Sequence, residues 1–353
     1  REPLGARRLN GGPARVVGRA AVIEIDGSFG EGGGQVLRTS LALSAVTGTP
    51  LRVVNVRAGR KEPGLKHQHV ACVKAAASIC IAVVDGAHVG SSRVTFEPRD
   101  VVGGRHEIRV GTAGSVVLVA HTVLPALVHA KTSATVGIEG GTHVPLAPVF
   151  EHFAHAYVPA LHAMGARVDV KLVRHGFAPE GGGRIELTIA PGADVPYRAD
   201  DAAAAPRELA LRLVAIEGRG IPADVLAREI AIVREAFPRV VVDDVKAARA
   251  GNALALTIGR DVVSALGARR TPAEKVARAL VDEARAFLSS ARPIGAHLAD
   301  QLLLPMALGA GGTFRTTTPT LHFTTNVAVI KRFVDVAIDV DLDDTRLVHV
   351  QKR

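Results

Sequence analysis

Hydrophobic residues recur along the chain at two spacings, and each spacing predicts a different element. Apolar residues three or four positions apart, among them Leu37 and Leu41, predict amphipathic helices. Stretches in which polar and apolar residues alternate, such as Arg93-Val-Thr-Phe and Val168-Asp-Val-Lys, predict strands. The mixture is typical of layered α/β proteins.

Three stretches of the chain follow one plan. Each has a glycine turn, an apolar helix of about 14 residues, a short strand, a polar loop and a second helix. The stretches begin near Gly27, Gly111 and Gly295. The second interval is about 100 residues longer than the first, so an additional domain is predicted inside the chain. The linker-like run PGADVPYRADDAAAAP marks its start.

We therefore predict an α/β (α+β) protein whose three repeats, each a βαβαββ-type unit, form a large core at 22–190 and 293–353. A smaller inserted α/β domain occupies 191–292, and residues 1–21 form a flexible N-terminal extension. Within the insert we predict two helices, ADVLAREIAIVREAF and PAEKVARALVDEARAFLSSA, and three strands, ALRLVAIEG, RVVVDDV and ALALTIG. Thr271 and Pro272 fit the N-cap and first position of the second helix.

Charge and cysteine content narrow the class of protein. The chain has 43 Lys and Arg against 34 Asp and Glu, a net charge of +9, which favours a polyanionic partner or substrate. Base usage in the gene is the alternative source of so much arginine. Cys72 and Cys80 have neither disulfide nor metal-ligand spacing, which predicts core thiols in a reducing compartment. With no long apolar run or secretory signal, we expect a cytoplasmic enzyme without a membrane segment, either monomer or homodimer.

The first repeat opens on a glycine-rich loop, Gly27-Ser-Phe-Gly-Glu-Gly-Gly-Gly-Gln. Bare backbone leading into a helix N-terminus can bind an anion through its N–H groups, with Arg38 one turn into the helix. Glu31 would repel a phosphate unless a divalent cation bridged the two, so it is a candidate magnesium-type ligand. An ordinary glycine turn with a solvated glutamate is the alternative.

A second polar loop runs from Arg57 to Gln68. Arg57 and Arg60 stand three apart around a glycine and can grip phosphate oxygens with forked donors; a merely solvated loop is the alternative. In the corresponding loop of the second repeat, Pro148 could form an apolar wall for a flat base.

In the third repeat, His322 lies at the start of a predicted helix among hydroxyls and an amide. The positive end of the helix dipole disfavours imidazolium, which favours a neutral, nucleophilic ring. A helix cap or core histidine is the alternative. The preceding helix offers His297, Asp300 and Gln301 within five residues, although Asp300 is equally explained as an early-turn carboxylate that the dipole favours.

From about residue 22 to its C-terminus, the chain resembles the RNA 3′-terminal phosphate cyclases. The segments GEGGGQVLR, RAGRKEPGL, HGFAPEGGG, HLADQLLLPMAL and HFTTN follow the order found in that family. The resemblance implies three repeats like the C-terminal domain of a translation initiation factor, plus an insert. It also implies ATP as co-substrate, a divalent metal (Mg or Mn), and an RNA with a 3′-terminal phosphate as partner.

The resemblance implies roles for individual residues. His322 is the histidine that accepts AMP, and Glu31 is the metal ligand. Arg38, Arg57, Arg60 and Gln68 contact phosphates and substrate. The adenosine pocket comprises His121, Pro148, His297, Leu298, Ala299, Asp300 and Gln301. Two residues depart from the family pattern: His297 replaces an aromatic residue of some members, and His121 replaces a glutamine.

Three other functions are considered. The first is a catalytically inactive, cyclase-like ribosome-assembly or RNA-binding protein; the presence of His322, Glu31, Arg38 and Arg57 together argues against it. Enolpyruvyl transferases use related repeats but need about six of them, whereas this chain has three. A plain RNA-binding module is disfavoured because the chain has no Trp, two Tyr and 3% aromatic residues.

Overall fold

The computed structural model describes residues 21–200, 211–341 and 346–353. Its strands are β1 (Ile23–Asp26), β2 (Leu51–Val54), β3 (Val83–Asp85), β4 (Val94–Glu97), β5 (Gly104–Arg109), β6 (Ala134–Gly140), β7 (Arg167–Arg174), β8 (Gly183–Ala190), β9 (Tyr197–Ala199), β10 (Arg212–Gly218), β11 (Val241–Ala247), β12 (Asn252–Ile258), β13 (Asp261–Leu266), β14 (Gly312–Arg315), β15 (Val336–Val340) and β16 (Leu347–Lys352). Its helices are α1 (Gly34–Thr47), α2 (His67–Cys80), α3 (Val116–Val128), α4 (Phe150–His152), α5 (Val158–Ala163), α6 (Ala223–Ala236), α7 (Ala273–Ser290), α8 (Ala296–Leu308) and α9 (Leu321–Ile330), with a π-helical segment, Phe153–Tyr157, joining α4 to α5. The mixed α/β class is as predicted. The predicted extension, 1–21, lies almost entirely outside the described residues.

Three four-stranded sheets share one strand order. They are β1-β2-β4-β3, β5-β6-β8-β7 and β9-β14-β16-β15. In each, the first two strands are parallel and the remaining pairs are antiparallel. A helix connects each parallel pair, as the crossover between parallel strands requires: α1, α3 and, for the third sheet, α8.

The third sheet changes where an inserted domain could begin. Strand β9 pairs with β14, Tyr197 opposite Gly312 and Ala199 opposite Phe314. Residues 197–199 therefore belong to a sheet whose other strands follow residue 311. The division into repeats and insert remains our proposal, and this pairing moves the start of the insert from 191 to beyond 199.

A fourth sheet, in the order β11-β10-β12-β13, lies within the proposed insert. Helices α6 and α7 pack on each other and on this sheet, and their apolar residues form a cluster apart from the main core. The predicted helices and strands are present, but β13 was not predicted. The predicted N-cap of α7 is wrong by one residue, because Pro272 occupies the N-cap position and the first helical residue is Ala273.

Helix α1 lies at the centre of the main core. It packs against α2, α3 and α9, and it ends at Gly48, which adopts the left-handed conformation common at helix C-termini. Such contacts on several sides explain why apolar residues surround much of the helix rather than forming one stripe. The packing brings the N-termini of α1 and α9 within reach of each other.

The segment His175–Gly183, which has the sequence HGFAPEGGG, connects β7 to β8 and contacts the proposed insert. Phe177 clusters with Ile216, Ala247 and Ala253. A Cβ on Gly251 would lie 2.0 Å from Phe177 Cγ, so the two segments are in close contact. The stretch packs against the proposed insert through the buried Phe177, while Ala178, Pro179 and Glu180 at its turn are exposed.

Cys72 and Cys80 are free and buried, as predicted. Burial raises the pKa of the Cys80 thiol to about 11. Among the described residues, every helix is too short or too polar to cross a bilayer.

Candidate active site

The glycine-rich loop between β1 and α1 packs on the first turn of α9. The Glu31 N–H donates to Thr325 Oγ1 at 3.0 Å, across 294 positions of the chain. Gly30 has φ +61°, and a Cβ there would lie 2.2 Å from Thr325 Oγ1. Only glycine permits both the backbone conformation and the close approach. The loop and α9 therefore form one surface.

The Glu31 side chain is 5% exposed and lies between Arg60 and the start of α1. Its Oε2 accepts a hydrogen bond from Arg60 Nη2 at 2.7 Å, and its Oε1 accepts one from the Gln35 N–H at 3.2 Å. Arg60 also donates to the Glu31 and Gly32 carbonyl oxygens. The structure thus brings the predicted carboxylate and one predicted arginine into direct contact.

His322 is the second residue of α9, whose N-cap, Thr320, accepts a hydrogen bond from the Phe323 N–H. His322 Nδ1 lies 2.8 Å from Gln35 Oε1 and 3.9 Å from Glu31 Oε2, and the side chain is 47% exposed. An amide oxygen only accepts hydrogen bonds, so this contact places the proton on Nδ1. Nε2 then keeps its lone pair, as a nucleophile requires.

Gln35 connects His322 to Asp300. Its Nε2 donates to Asp300 Oδ1 at 3.4 Å while its Oε1 faces His322, so each end of the amide meets a suitable partner. Burial raises the pKa of Asp300 to about 7. Asn326 holds the helix of Asp300 in place, because its Nδ2 donates to the Asp300 carbonyl at 2.8 Å.

Arg38 and His69 lie beside the first residue of α1. A Cβ on Gly34 would lie 2.5 Å from Arg38 Nη1 and 2.6 Å from His69 Nε2. His69 Nδ1 accepts the Lys66 N–H at 3.0 Å, and burial, with Arg38 and other cations, lowers the His69 pKa to about 3. The neutral ring therefore carries its proton on Nε2. Two N–H donors thus flank the start of the helix.

Arg57 and Gln68 are partly occupied by other contacts. Arg57 Nη1 donates to the Glu62 and Gly64 carbonyls at 2.7 and 3.0 Å, which fixes the shape of its own loop. Gln68 Oε1 accepts the Ser115 N–H at the start of α3. These contacts hold in place the loop that carries Arg60.

The residues predicted for the adenosine pocket differ in their exposure to solvent. His121 packs against Tyr157 with ring centroids 4.3 Å apart, and burial lowers its pKa to about 3. His121 Nε2 and Gln301 Oε1 are buried without a hydrogen-bond partner among the described residues. Pro148 is half-buried and His297 is exposed. The Leu298 and Ala299 side chains are 0% exposed and belong to the core, and their contact with nucleotide stays a prediction.

The surroundings of Glu31, the predicted metal ligand, supply few other metal-binding groups. No group of three or more His, Cys, Asp or Glu among the described residues is arranged to hold a metal ion. Glu31 alone fits a cation that takes its other ligands from water and substrate phosphates, which is the usual arrangement for magnesium. For Glu31 Oε2 to bind a cation, its hydrogen bond from Arg60 Nη2 must first break.

A family model described as RNA 3′-terminal phosphate cyclase matches residues 29–340 of the chain. The chain belongs to the RNA 3′-terminal phosphate cyclase family. Proteins of that name from Ectopseudomonas mendocina (strain ymp) and Ralstonia nicotianae (strain ATCC BAA-1114 / GMI1000) are each 42% identical to it, over 94% of this chain and 98% and 97% of their own. The Salmonella typhimurium (strain LT2) protein of that name is 39% identical over 90% of this chain and 95% of its own.

The chain also aligns with the enolpyruvyl transferase NikO from Streptomyces tendae. The alignment covers 95% of this chain and 48% of that one, with 13% identity and a TM-score of 0.36. A similarity this low carries no argument.

In this RNA 3′-terminal phosphate cyclase family member, the structure adds three residues that were not predicted. They are Gln35, His69 and Asn326. Each stands inside or next to a quoted motif: Gln35 closes GEGGGQ, His69 follows Gln68, and Asn326 ends HFTTN. Motif position was the only available signal, because their hydrogen-bond partners lie elsewhere in the chain.

Proposed function

We propose that this protein uses ATP to convert an RNA 3′-terminal phosphate into a 2′,3′-cyclic phosphodiester, through a covalent histidinyl-AMP. The observation that carries the proposal is the contact of His322 with Gln35 beside Glu31 and Arg60. This contact leaves a lone pair on His322 Nε2, close to the glycine-rich loop that precedes α1.

In the first step, His322 Nε2 attacks the α-phosphorus of ATP. A P–N bond forms, the bond to the bridging oxygen of the β-phosphate breaks, and pyrophosphate leaves. The N–H groups at the start of α1, Arg60 and Arg38 offset the charge that develops on the phosphates. His322 Nδ1–H donates a hydrogen bond to Gln35 Oε1 throughout the step, and this bond holds the ring in its nucleophilic tautomer.

In the second step, an oxygen of the RNA 3′-phosphate attacks the AMP phosphorus and displaces His322. In the third, the neighbouring 2′-hydroxyl oxygen attacks the 3′-phosphorus and its proton passes to solvent, while the bond from that phosphorus to the AMP oxygen breaks and AMP leaves. The ribose already holds these groups together, so proximity supplies much of the rate. A divalent cation at Glu31, Mg or Mn, would neutralise phosphate charge when bound there.

The nucleotide is proposed to bind against His121, Pro148 and Gln301. The unpartnered His121 Nε2 and Gln301 Oε1 support this placement, since buried polar atoms without partners are rare in folded proteins. These atoms offer a base one hydrogen-bonding nitrogen and one acceptor.

The test is to incubate the protein with ATP labelled at the α-phosphate and a divalent metal, denature it, and assay for bound label. We expect acid-labile, alkali-stable label on the wild type and none on His322→Ala. His349→Ala is the matched control, because His349 is also exposed but lies in β16; it should take up label like the wild type.

Label that persists in His322→Ala would assign the nucleophile to another residue. Wild type that takes up no label with either Mg or Mn, and leaves RNA 3′-phosphate ends unchanged, would contradict the proposal and favour the inactive, cyclase-like alternative.

A further inference from the structure

Phe29 is exposed to solvent, unlike the other eleven aromatic residues of the chain. The chain has ten Phe, two Tyr and no Trp, and all twelve aromatic residues lie within the described residues. Ten are buried and Phe333 is half-buried, whereas Phe29 is 51% exposed. Phe29 is thus the one aromatic ring among the described residues that is available to stack against a ligand without a change in the fold.

The loop that carries Phe29 is held in place. The Phe29 N–H donates to the Asp26 carbonyl at 3.1 Å, and the Phe29 carbonyl accepts the Gly32 N–H at 3.0 Å. The next residue, Gly30, packs on Thr325. The aromatic ring is therefore displayed from a fixed backbone, which lowers the entropy lost when a ligand packs on it.

Phe29 lies at the edge of the candidate active site. It is two residues from Glu31, so their Cα atoms are at most about 7 Å apart. Thr325 connects this loop to Leu321, because Thr325 Oγ1 accepts the Glu31 N–H and donates to the Leu321 carbonyl at 2.6 Å. Leu321, directly before His322, is itself 61% exposed. Phe29 and Leu321 are thus two exposed apolar side chains on segments that meet at Thr325, and we call this pair the apolar lip.

We propose that Phe29 stacks against the base of the RNA's 3′-terminal nucleotide. This inference rests on the proposed function, in which that nucleotide's phosphate reaches His322. The base and the 3′-phosphate belong to one ribose, so an RNA end at His322 brings its base within one nucleoside of the reacting phosphorus. A flat aromatic face suits any of the four bases, as an enzyme that acts on RNA ends in general requires.

The charges around the lip fit the same occupant. Arg60 is 46% exposed beside the loop, and the chain as a whole carries +9. Cationic groups that contact the backbone and an aromatic ring that contacts the base are the usual combination for single-stranded nucleic acid. The adenine of ATP is proposed to lie elsewhere, against His121 and Gln301.

The test compares two oligoribonucleotides with 3′-terminal phosphates, one with a terminal adenine and one whose terminal residue lacks a base. For Phe29→Ala we expect the KM of the base-bearing RNA to rise about 5- to 150-fold. The KM of the abasic RNA should change less than about twofold, since that RNA has no base to stack. Phe29→Tyr keeps a ring and should behave as wild type.

Val83→Ala is the matched control, because Val83 is 55% exposed on β3 and is no part of the site. Anisotropy measurements of binding to the same two RNAs give a second readout that needs no chemistry. Equal effects of Phe29→Ala on both RNAs, or none on either, would overturn the inference. So would a raised KM for ATP in adenylylation without RNA, which would assign the ring to the nucleotide.

Failure of the proposed function looks different. Wild type would then take up no label from ATP and cyclise no RNA, whatever residue stands at 29. The anisotropy difference between the two RNAs would still report whether Phe29 contacts the base.

Discussion

Two glycine-rich segments of this protein look alike in sequence and differ in structure. Gly27–Gln35 and His175–Gly183 each contain a glutamate among several glycines. The first is open, with Phe29 exposed and His322 half-exposed beside Glu31. The second packs against the proposed insert, with Phe177 4% exposed. Glycine permits close approach of another segment in both. The segments differ in what packs on them, which is α9 in the first and the proposed insert in the second.

The histidines beside the two segments differ in the same way. His322 Nδ1 lies 3.9 Å from Glu31 Oε2, and the His322 side chain is about half exposed to solvent. His143 stacks on His175 and Phe177, and its Nε2 lies 2.7 Å from Glu151 Oε2, with both side chains almost fully buried. A histidine–glutamate pair beside a glycine motif is therefore buried in one region and open to solvent in the other, and only the open pair is accessible to a substrate.

The largest expected effect is at the buried His143–Glu151 pair. His143→Ala leaves the Glu151 carboxylate buried without its partner, which should lower the free energy of unfolding by about 3–5 kcal/mol. Urea denaturation measures the change. His155→Ala, at an exposed histidine in the π-helical segment, should unfold at nearly the wild-type urea concentration. Equal stability of the two variants would remove the structural role assigned to His143.

A smaller effect is expected on the open region. In Gly33→Ala the added Cβ would lie 2.2 Å from Glu31 Oε2 and 2.8 Å from Arg60 Nη2, so the pair must separate. Displacement of groups by about 1 Å can cost about 100-fold in rate, and we expect that loss in adenylylation with little change in urea midpoint. Gly59→Ala is the control, since nothing lies within 4 Å of its Cβ and its φ is not positive. If Gly33→Ala reacts like Gly59→Ala, the Glu31–Arg60 contact plays no part in the reaction.

A third effect, small per pH unit, is a slope of the free energy of unfolding with pH. Burial raises the Asp300 pKa from 3.8 to about 7, so the folded state binds the proton more tightly than the unfolded state. Stability from this group is complete below about pH 4 and is lost as pH rises to about 7, by at most about 1.4 kcal/mol per pH unit. Asp300→Asn should flatten that slope in urea titrations without metal or ATP.

Glu151 provides the opposite sign. Burial by itself raises its pKa, but the charge and hydrogen bond of His143 outweigh burial and leave the pKa lowered. Its stabilisation is present above about pH 4.5, its ordinary value, and is lost as pH falls.

An Asp300→Asn variant with the wild-type slope between pH 4 and 7 would contradict the contrast between the two carboxylates.

The sequence predicted most of the secondary structure because helix and strand periods are local properties. Helices α1, α6 and α7 lie where their patterns place them. Strand β13 was missed, and the start of α7 is one residue later than predicted. The pairing of β9 with β14 could not be predicted, because nothing in three residues, Tyr197–Ala199, specifies a partner more than 110 positions away.

For the candidate site, the sequence identified residue types that bind phosphate or attack it. It did not identify Gln35 as the partner of His322, since that contact spans 287 positions. The burial of Leu298 and Ala299, which the resemblance implies for the adenosine pocket, is likewise a property of the fold, and their contact with nucleotide stays a prediction.

What the sequence by itself determined was the element types, the mixed α/β class, the family and the order of its motifs. These follow from local periodicity and from short patterns of residues. Only the tertiary structure decided which motifs meet: α1 and α9 pack together and bring Glu31, Gln35 and His322 into contact, while Phe177 is enclosed and Phe29 is left exposed. Contacts and access to solvent depend on packing between distant segments, which no local pattern encodes.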